Sequence, residues 1–298
     1  MDEQQIELYQ KRDLGQTLIA AIQIVKSNPK HFFKTAVLMV LPLFLATSTL
    51  SFLKQNIYDP SASPYDRIIN EFLGPMNILS LIASYLYTAS CTWAAVYFLK
   101  LYRERGSGNF EMADLWSEVF KHGWKLLFAF IAVVIITSIV VVVAGFFASI
   151  TLVLIPFFYV AMLLVFNFLL MFSIIYLNEE AGFSNSIDRV FKLMKGRWFS
   201  SVGLLIVCIL IPFSVIFSPV IITAIIDIDS FREVFDLTAG LNVSFTLLLE
   251  NIMQILGLLY LLLLNLSFAV FYFSLSEEKD HVSLKKRVED LGPLGTYQ

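Results

Sequence analysis

Long apolar segments without Asp, Glu, Lys or Arg alternate with short charged segments along the chain. Five such windows cover residues 35–53, 78–99, 126–178, 199–226 and 251–276. A bilayer core about 30 Å thick needs about 20 apolar helical residues, so these windows are long enough to cross it. The third window would extend about 80 Å as one helix, which predicts two spans that separate near residues 148–151. The pattern therefore predicts six transmembrane helices.

Three of the charged segments have the pattern of an amphipathic helix that leads directly into a span. In residues 185–198, four apolar residues share one helical face and basic residues lie opposite. Residues 13–34 and 109–125 show a similar arrangement. All three segments contain aromatic residues where the apolar run begins, as expected at a membrane–water interface. We therefore expect three interfacial helices, each followed by an outward span and a returning span.

Capping residues are also predicted for these three helices. Asp13 with Gln16, and Asn185 with Asp188, have the three-residue spacing by which a cap and its partner satisfy free amides. Asn109 is the candidate cap of the remaining helix. These residues predict where each interfacial helix begins.

The ends of the fourth and sixth spans repeat each other at an offset of 98 residues. LLVFNFLLMFSIIYLNEE and LLLLNLSFAVFYFSLSEE align without a gap, so that Asn167 corresponds to Asn265. The pattern predicts an all-α membrane protein with a pseudo-threefold parallel repeat of three hairpins in one polytopic domain. The units are about 13–105, 106–180 and 181–278, followed by a basic tail at 279–298.

The basic residues predict the orientation of the chain. If the N-terminus is cytoplasmic, 18 of the 21 Lys and Arg residues lie on that side. Only Lys54, Arg67 and Arg232 lie on the other side. Because cytoplasmic loops carry an excess of Lys and Arg, we expect both termini in the cytoplasm and the chain in the inner, cytoplasmic membrane.

Composition excludes an ordinary soluble domain. The chain is 58% hydrophobic and 15% charged, and its mean hydropathy is +0.75. The net charge of −3 gives no reason to expect a nucleic-acid partner. Cys91 and Cys208 both lie in apolar runs, which favours packing as small apolar groups over a disulfide framework.

Asn167 and Asn265 are the candidate ligand-binding residues, because an amide in hydrocarbon needs a hydrogen-bond partner. Two interpretations are open at this point. The amides either bridge neighbouring helices and fix their packing, or line a cavity for a polar lipid or peptide group. Replacement of both residues by Leu would separate the two interpretations.

Basic and aromatic residues at the membrane entries are candidate contacts for lipid or for a protein partner. Simple anchoring at the interface, and the orientation of the chain, explain the same residues without a specific site. These residues are Lys26, Lys30, Lys121, Trp124, Lys125, Lys192, Lys195, Arg197 and Trp198.

The sequence carries no motif for catalysis or for a cofactor. It lacks a glycine-rich phosphate loop and a nucleophile elbow. The glutamate pairs at 179–180 and 277–278 lie where spans leave the membrane, and the three histidines lack metal-ligand spacing. The charge-free windows also argue against an ion-coupled carrier. We expect no catalytic residue, no metal and no cofactor.

The segment FKLMKGRWF, which follows a short polar helix and precedes a long apolar span, resembles the membrane domain of some bacterial glycerophosphodiester phosphodiesterases. It is also similar to related six-span bacterial membrane proteins. The resemblance is clearest over residues 179–226, with fainter similarity at 13–50 and 109–147. In that family a separate soluble domain carries the hydrolytic activity, and this chain has no segment long enough to contain one. The resemblance thus implies a fold and a membrane location without the activity.

These observations favour a non-enzymatic membrane protein. We expect a structural or accessory subunit that binds a protein partner, a second copy of the chain or membrane lipids. Its contact surfaces would be the basic membrane entries and the tail around residues 283–290. The alternative is a permease or exporter for a lipid-like or amphiphilic molecule, with a cavity near Asn167 and Asn265.

Overall fold

The computed structural model describes residues 6–57, 74–106, 155–179, 182–226 and 243–290, with isolated positions between 117 and 143. The described chain is helical with short connecting turns. Its elements are α1 (Leu14–Ser27), α2 (Pro29–Thr35), a π-helical turn (Ala36–Val40), α3 (Leu41–Ile57), α4 (Pro75–Arg105), α5 (Ile155–Asn178), α6 (Phe183–Met194), α7 (Trp198–Ile226), α8 (Val243–Asp280) and α9 (Val282–Asp290).

Several of these helices are long and apolar enough to cross a membrane. The described residues contain four such segments, Pro29–Leu50, Pro75–Glu104, Pro156–Asn178 and Gly257–Asp280. A bent pair, Phe183–Met194 with Trp198–Ile211, adds a fifth if it is counted as one span. Four of these segments coincide with predicted spans, and the bent pair covers a fifth predicted span if it is counted as one. The predicted third span, at about 126–148, lies outside the described residues apart from isolated helical positions.

The predicted start of α1 is confirmed, and that of α6 is wrong. The Asp13 carboxylate accepts a hydrogen bond from the Gln16 amide (2.7 Å), and the Gln16 side chain accepts one from the Asp13 amide (3.2 Å). α6 instead begins at Phe183 after the extended residue Gly182, without a side-chain cap. Phe183 packs edge-on against Phe172 with ring centroids 5.2 Å apart, so the chain is helical before Asn185. The predicted cap at Asn109 lies outside the described residues.

The first span widens into a π-helical turn just before Pro42. Pro42 has no amide hydrogen, and its ring would clash with the carbonyl one turn earlier. The backbone of Ala36–Val40 is π-helical, and the Leu41 amide bonds to the Ala36 carbonyl. The helix then continues through Pro42 to Ile57. The proline therefore changes the helix locally and does not end it.

α6 and α7 meet at an angle of 92°. The turn between them, Lys195–Arg197, is called the elbow below. Gly196 makes this turn with a φ of +79°, a left-handed conformation that costs a residue with a Cβ about 1–2 kcal/mol. α6 buries Val190, Leu193 and Met194, so its apolar side faces the bundle while it crosses the end of α7.

α8 is the central helix of the described bundle. Buried residues make up 78% of its most apolar window, against 28% for the first span. Phe268, Leu266 and Val270 of α8 are fully buried, and α8 packs against α1, α4, α5, α6 and α7. In lipid such packing stabilises through close contact and hydrogen bonds more than through removal from water.

The N-terminal segment packs across one end of this bundle. The Ile6 amide donates to the Tyr102 hydroxyl of α4 (3.0 Å), and the Arg12 amide donates to Ser274 Oγ of α8 (2.8 Å). The Tyr9 ring packs edge-on against Phe273, with centroids 5.0 Å apart. The N-terminal segment therefore lies at the same end as the last turns of α4 and α8. This end, which carries Arg12, Glu179, Arg189, Arg197, Glu278 and Asp280, is called the charged end below.

Candidate functional site in the membrane core and at the charged end

Asn265 joins α8 to α4 in the interior of the bundle. Its side chain is 1% exposed. Its Oδ1 accepts a hydrogen bond from the Thr92 hydroxyl at 2.7 Å, and its Nδ2 donates one to the Leu261 carbonyl at 2.8 Å. Both halves of the amide therefore have partners, as a buried amide requires.

Asn167 joins α5 to α7 and is only half satisfied. Its side chain is completely buried, and its Oδ1 accepts a hydrogen bond from the Ser201 hydroxyl at 2.6 Å. The Nδ2 group has no partner among the described residues. Asn167 and Asn265 are thus equivalent in the sequence repeat but differ in their partners, since one bonds to α7 and the other to α4.

One glutamate of each repeated pair, Glu179 and Glu278, is joined to an arginine at the charged end. Arg189 of α6 donates to both oxygens of Glu179, at 2.9 and 3.1 Å, and also pairs with Asp280. The Tyr272 hydroxyl donates to Glu179 at 2.8 Å. This network is called the Arg189 clamp below. It connects the end of α5, helix α6 and the end of α8.

A second ion pair connects the elbow itself to α8. Arg197 donates from Nη2 to both oxygens of Glu278 at 2.6 and 2.7 Å, and from Nε at 3.2 Å. The two side chains are 35% and 22% exposed. The neighbouring Glu277 accepts hydrogen bonds from the amide and hydroxyl of Ser283, which holds the start of α9. Glu277 and Glu278 are therefore both hydrogen-bonded to other residues of the protein.

A half-open cavity of about 120 Å³ lies where the N-terminal segment, the elbow and α8 meet. We call it the elbow pocket. Its polar lining consists of Arg12, Asp13, Arg197, Ser200, Ser274 and Glu278, and its apolar lining of Leu14, Phe271 and Leu275. The Arg12 guanidinium also donates to the Leu8 carbonyl at 2.8 Å. Burial lowers the pKa of Arg12, an effect that the negative charge of Glu7 opposes.

The predicted interfacial residues occupy different environments. Lys26, Lys30, Lys192 and Lys195 are exposed. Trp198 is half-buried and its ring lies 6.1 Å from that of Phe191, whereas Arg197 belongs to the elbow pocket. Lys121, Trp124 and Lys125 lie outside the described residues.

Sequence reasoning missed the partners that complete these sites. Thr92 and Asn265 are far apart in the chain, and so are Arg12 and Ser274, so no local pattern connects them. The repeat singled out Asn167 and Asn265, whereas the repeated glutamates were interpreted only as charges where spans leave the membrane. In the part of the chain that the structure describes, no group of three or more His, Cys, Asp and Glu residues is arranged to hold a metal.

Comparison of the chain with protein-family models, with curated proteins and with solved structures gives no match.

Proposed function

We propose that the chain is a non-enzymatic multi-pass protein of the cytoplasmic membrane that acts as an accessory subunit and binds a protein partner or lipid at its charged end. One observation carries the proposal. The side-chain carbonyls of Asn167 and Asn265 both accept hydrogen bonds from neighbouring helices. The polar groups that could line a transport path thus serve helix packing, which favours the bridging interpretation of the two amides.

The proposed topology has six spans, with both termini and the charged end in the cytoplasm. Support comes from the gathering of the N-terminal segment, the elbow and the C-terminal end of α8 at one end of the bundle. These are segments to which the distribution of Lys and Arg assigns the cytoplasmic side. The 92° angle between α6 and α7 suits a helix that lies along the interface before the chain enters the membrane.

Helix packing also supports the threefold repeat. α6, the first helix of the third unit, packs against α5, the last span of the second unit. α1, the first helix of the first unit, packs against α8, the last span of the third unit. Each interfacial helix would therefore contact the unit before it in cyclic order, which is the relationship that three parallel units around one axis require.

The binding surface proposed for a partner is the outer side of α6. Lys192 and Lys195 are exposed there, and Phe191 is 55% exposed beside them. Arg189 and Arg197, by contrast, are held by carboxylates of α5 and α8. The lysines thus remain available for anionic lipid or for an acidic partner surface, while the arginines fix the helix in place.

Charge reversal tests this surface. Native membranes that contain the wild-type chain or Lys192→Glu/Lys195→Glu are solubilised gently, and the mass and subunit stoichiometry of the complex are measured. The proposal predicts a defined complex for the wild type and its loss in the variant. The control is Lys54→Glu/Arg67→Glu, which reverses two charges on the predicted opposite side and should leave the complex intact. A complex that survives in both variants would contradict the proposed surface.

A permease for an amphiphile is the second candidate, and Asn167 supports it. Its Nδ2 group is buried without a partner, so a polar group of a passing molecule could accept its hydrogen bond. Reconstituted vesicles that carry fluorescent lipid analogues would measure this activity. Flux that depends on the protein and falls in Asn167→Leu, with no fall in Thr47→Val, would favour the permease over the accessory role.

A further inference from the structure

We propose that the elbow pocket binds the headgroup of a zwitterionic aminophospholipid, with the phosphate on Arg197 and Ser200 and the ammonium on Glu278 and Asp13. This inference rests on the lipid-binding form of the proposed function and names the lipid. The acyl chains would remain outside, along the apolar surface of the bundle.

The charges of the lining select a zwitterion. Arg12 and Arg197 supply two positive charges, and Asp13 and Glu278 supply two negative charges. The lining is therefore neutral as a whole, with both signs on its walls. An anionic headgroup would lie close to two carboxylates, and a cation would lie close to two guanidinium groups. A headgroup with one charge of each sign can contact both pairs favourably.

The ion pair in the pocket also leaves hydrogen-bonding positions that such a headgroup could use. Arg197 uses Nε and Nη2 for Glu278, and its Nη1 group makes no hydrogen bond among the described residues. Glu278 accepts three hydrogen bonds from Arg197, two of them at Oε1. A carboxylate offers about four acceptor positions, so Oε2 keeps one for a further donor. A phosphate on Nη1 and an ammonium on Glu278 would therefore lie antiparallel to the pair and would not break it.

Hydrogen-bond chemistry distinguishes an ammonium from a trimethylammonium group. The carboxylates of Asp13 and Glu278 are acceptors, and a primary ammonium offers three N–H donors, whereas a choline headgroup offers none. On the other side of the pocket, the Ser200 hydroxyl makes no hydrogen bond among the described residues. Together with Arg197 Nη1 it can donate to phosphate oxygens, and hydrogen bonds of this charged kind are the stronger ones.

The size and place of the pocket suit a headgroup and exclude a whole amphiphile. Its volume of about 120 Å³ is well below the 300 Å³ or more that drug-sized ligands need. Leu14, Phe271 and Leu275 supply an apolar part of the wall. Phe199, which precedes Ser200 at the start of α7, is 94% exposed and gives acyl chains an aromatic surface beside the pocket.

Native mass spectrometry of the full-length protein in detergent tests the proposal. The protein is titrated with phosphatidylethanolamine, phosphatidylglycerol and phosphatidylcholine of identical acyl chains, and with soluble phosphoethanolamine. We expect phosphatidylethanolamine to bind about tenfold more tightly than the other two lipids, a ratio that corresponds to about 1.4 kcal/mol. Soluble phosphoethanolamine should compete only weakly, because it lacks the acyl contacts.

Two variants with matched controls locate the site. Ser200→Leu fills the pocket while leaving the ion pair in place, and Ser214→Leu makes the same change at an exposed position of α7. Arg197→Gln removes the phosphate donor, and Arg287→Gln removes an exposed arginine of α9, outside the pocket lining. We expect Ser200→Leu and Arg197→Gln to abolish the tenfold preference, and both controls to keep it.

Several results would overturn the proposal. Equal or tighter binding of phosphatidylglycerol would show that an anionic lipid is preferred. Phosphoethanolamine that binds as tightly as the lipid would identify a soluble ligand. A preference that survives Ser200→Leu would place the lipid elsewhere. The accessory role is tested separately, because the Lys192→Glu/Lys195→Glu experiment measures a protein complex and does not depend on the pocket.

Discussion

The Thr92 hydroxyl on α4 donates a hydrogen bond of 2.7 Å to the side-chain carbonyl of Asn265 on α8. The two residues are 173 positions apart in the chain, and both are almost completely buried. α8 is the most buried of the candidate spans, so this bond connects the centre of the bundle to α4.

The Thr92–Asn265 bond should contribute measurably to stability. Asn265→Leu and Thr92→Val each remove one partner, and a double-mutant cycle isolates the interaction between them. We expect a coupling free energy of about 0.6 kcal/mol, the average for such bonds in membrane helices. Reversible unfolding in mixed detergent micelles measures it. Fully additive single and double variants would show that the bond contributes nothing.

Gly196 should be required for the elbow. Its φ of +79° disfavours any residue with a Cβ, although nothing lies within 4 Å of the added atom. Gly196→Ala should therefore lower the free energy of unfolding by about 1–2 kcal/mol through backbone strain alone.

Gly257→Ala is the matched control for the elbow. Gly257 lies within α8 without a positive φ, and its added Cβ also meets nothing within 4 Å. Alanine has the higher helix propensity, so this variant should be at least as stable as the wild type. Equal losses in both variants would argue against backbone strain at Gly196.

The Arg189 clamp should hold α6 against the bundle. Arg189 bridges Glu179 and Asp280, and its planar guanidinium can satisfy both carboxylates while an ammonium cannot do so in the same geometry. Arg189→Gln should cost about 1.5–3 kcal/mol, the range for a hydrogen bond to a charged group. Arg189→Lys should recover only part of that loss.

Hydrogen exchange of residues 183–194 reports on the clamp directly. The backbone amides of α6 should exchange faster in both variants, because the helix loses its attachment to α5 and α8. The amides of α4 provide an internal control within the same samples. Unchanged exchange of α6 in Arg189→Gln would show that packing alone holds the helix.

Cysteine labelling tests the proposed topology. The native thiols of Cys91 and Cys208 are buried, so they should react little with an impermeant reagent. In oriented vesicles or whole cells, Pro60→Cys and Phe235→Cys should react from outside, and Lys285→Cys only after the membrane is opened. If the first two variants were protected from outside labelling, the proposed topology would be wrong, and these loops would lie on the cytoplasmic side.

Much of the helical architecture could be predicted, because membrane spans depend on local composition. The windows that matched α3, α4, α5, α7 and α8 needed only the absence of charge and a minimum length. The cap at Asp13 was predictable for the same reason, since both partners lie three residues apart. Asn185 failed as a cap because a tertiary contact of Phe183 with Phe172 extends the helix beyond its local signal.

The candidate sites depended on contacts that no local pattern contains. Asn167 and Asn265 were found as repeated polar residues, but their partners Ser201 and Thr92 resemble many other hydroxyl residues in the chain. The elbow pocket combines three distant segments through Arg12, Arg197 and Glu278. From the sequence, Glu278 was interpreted only as a charge where a span leaves the membrane, and only the fold shows that Arg197 of the elbow pairs with it.

Mass spectrometry of the protein after gentle extraction from its native membrane tests the central claim most directly, because it reads associated proteins and retained lipids in one measurement. The accessory role predicts a protein partner or a second copy of the chain at fixed stoichiometry, or a retained membrane lipid that Asn167→Leu does not release. A single enriched amphiphile without a partner, released by Asn167→Leu and not by Ser200→Leu, would contradict this account and favour the permease.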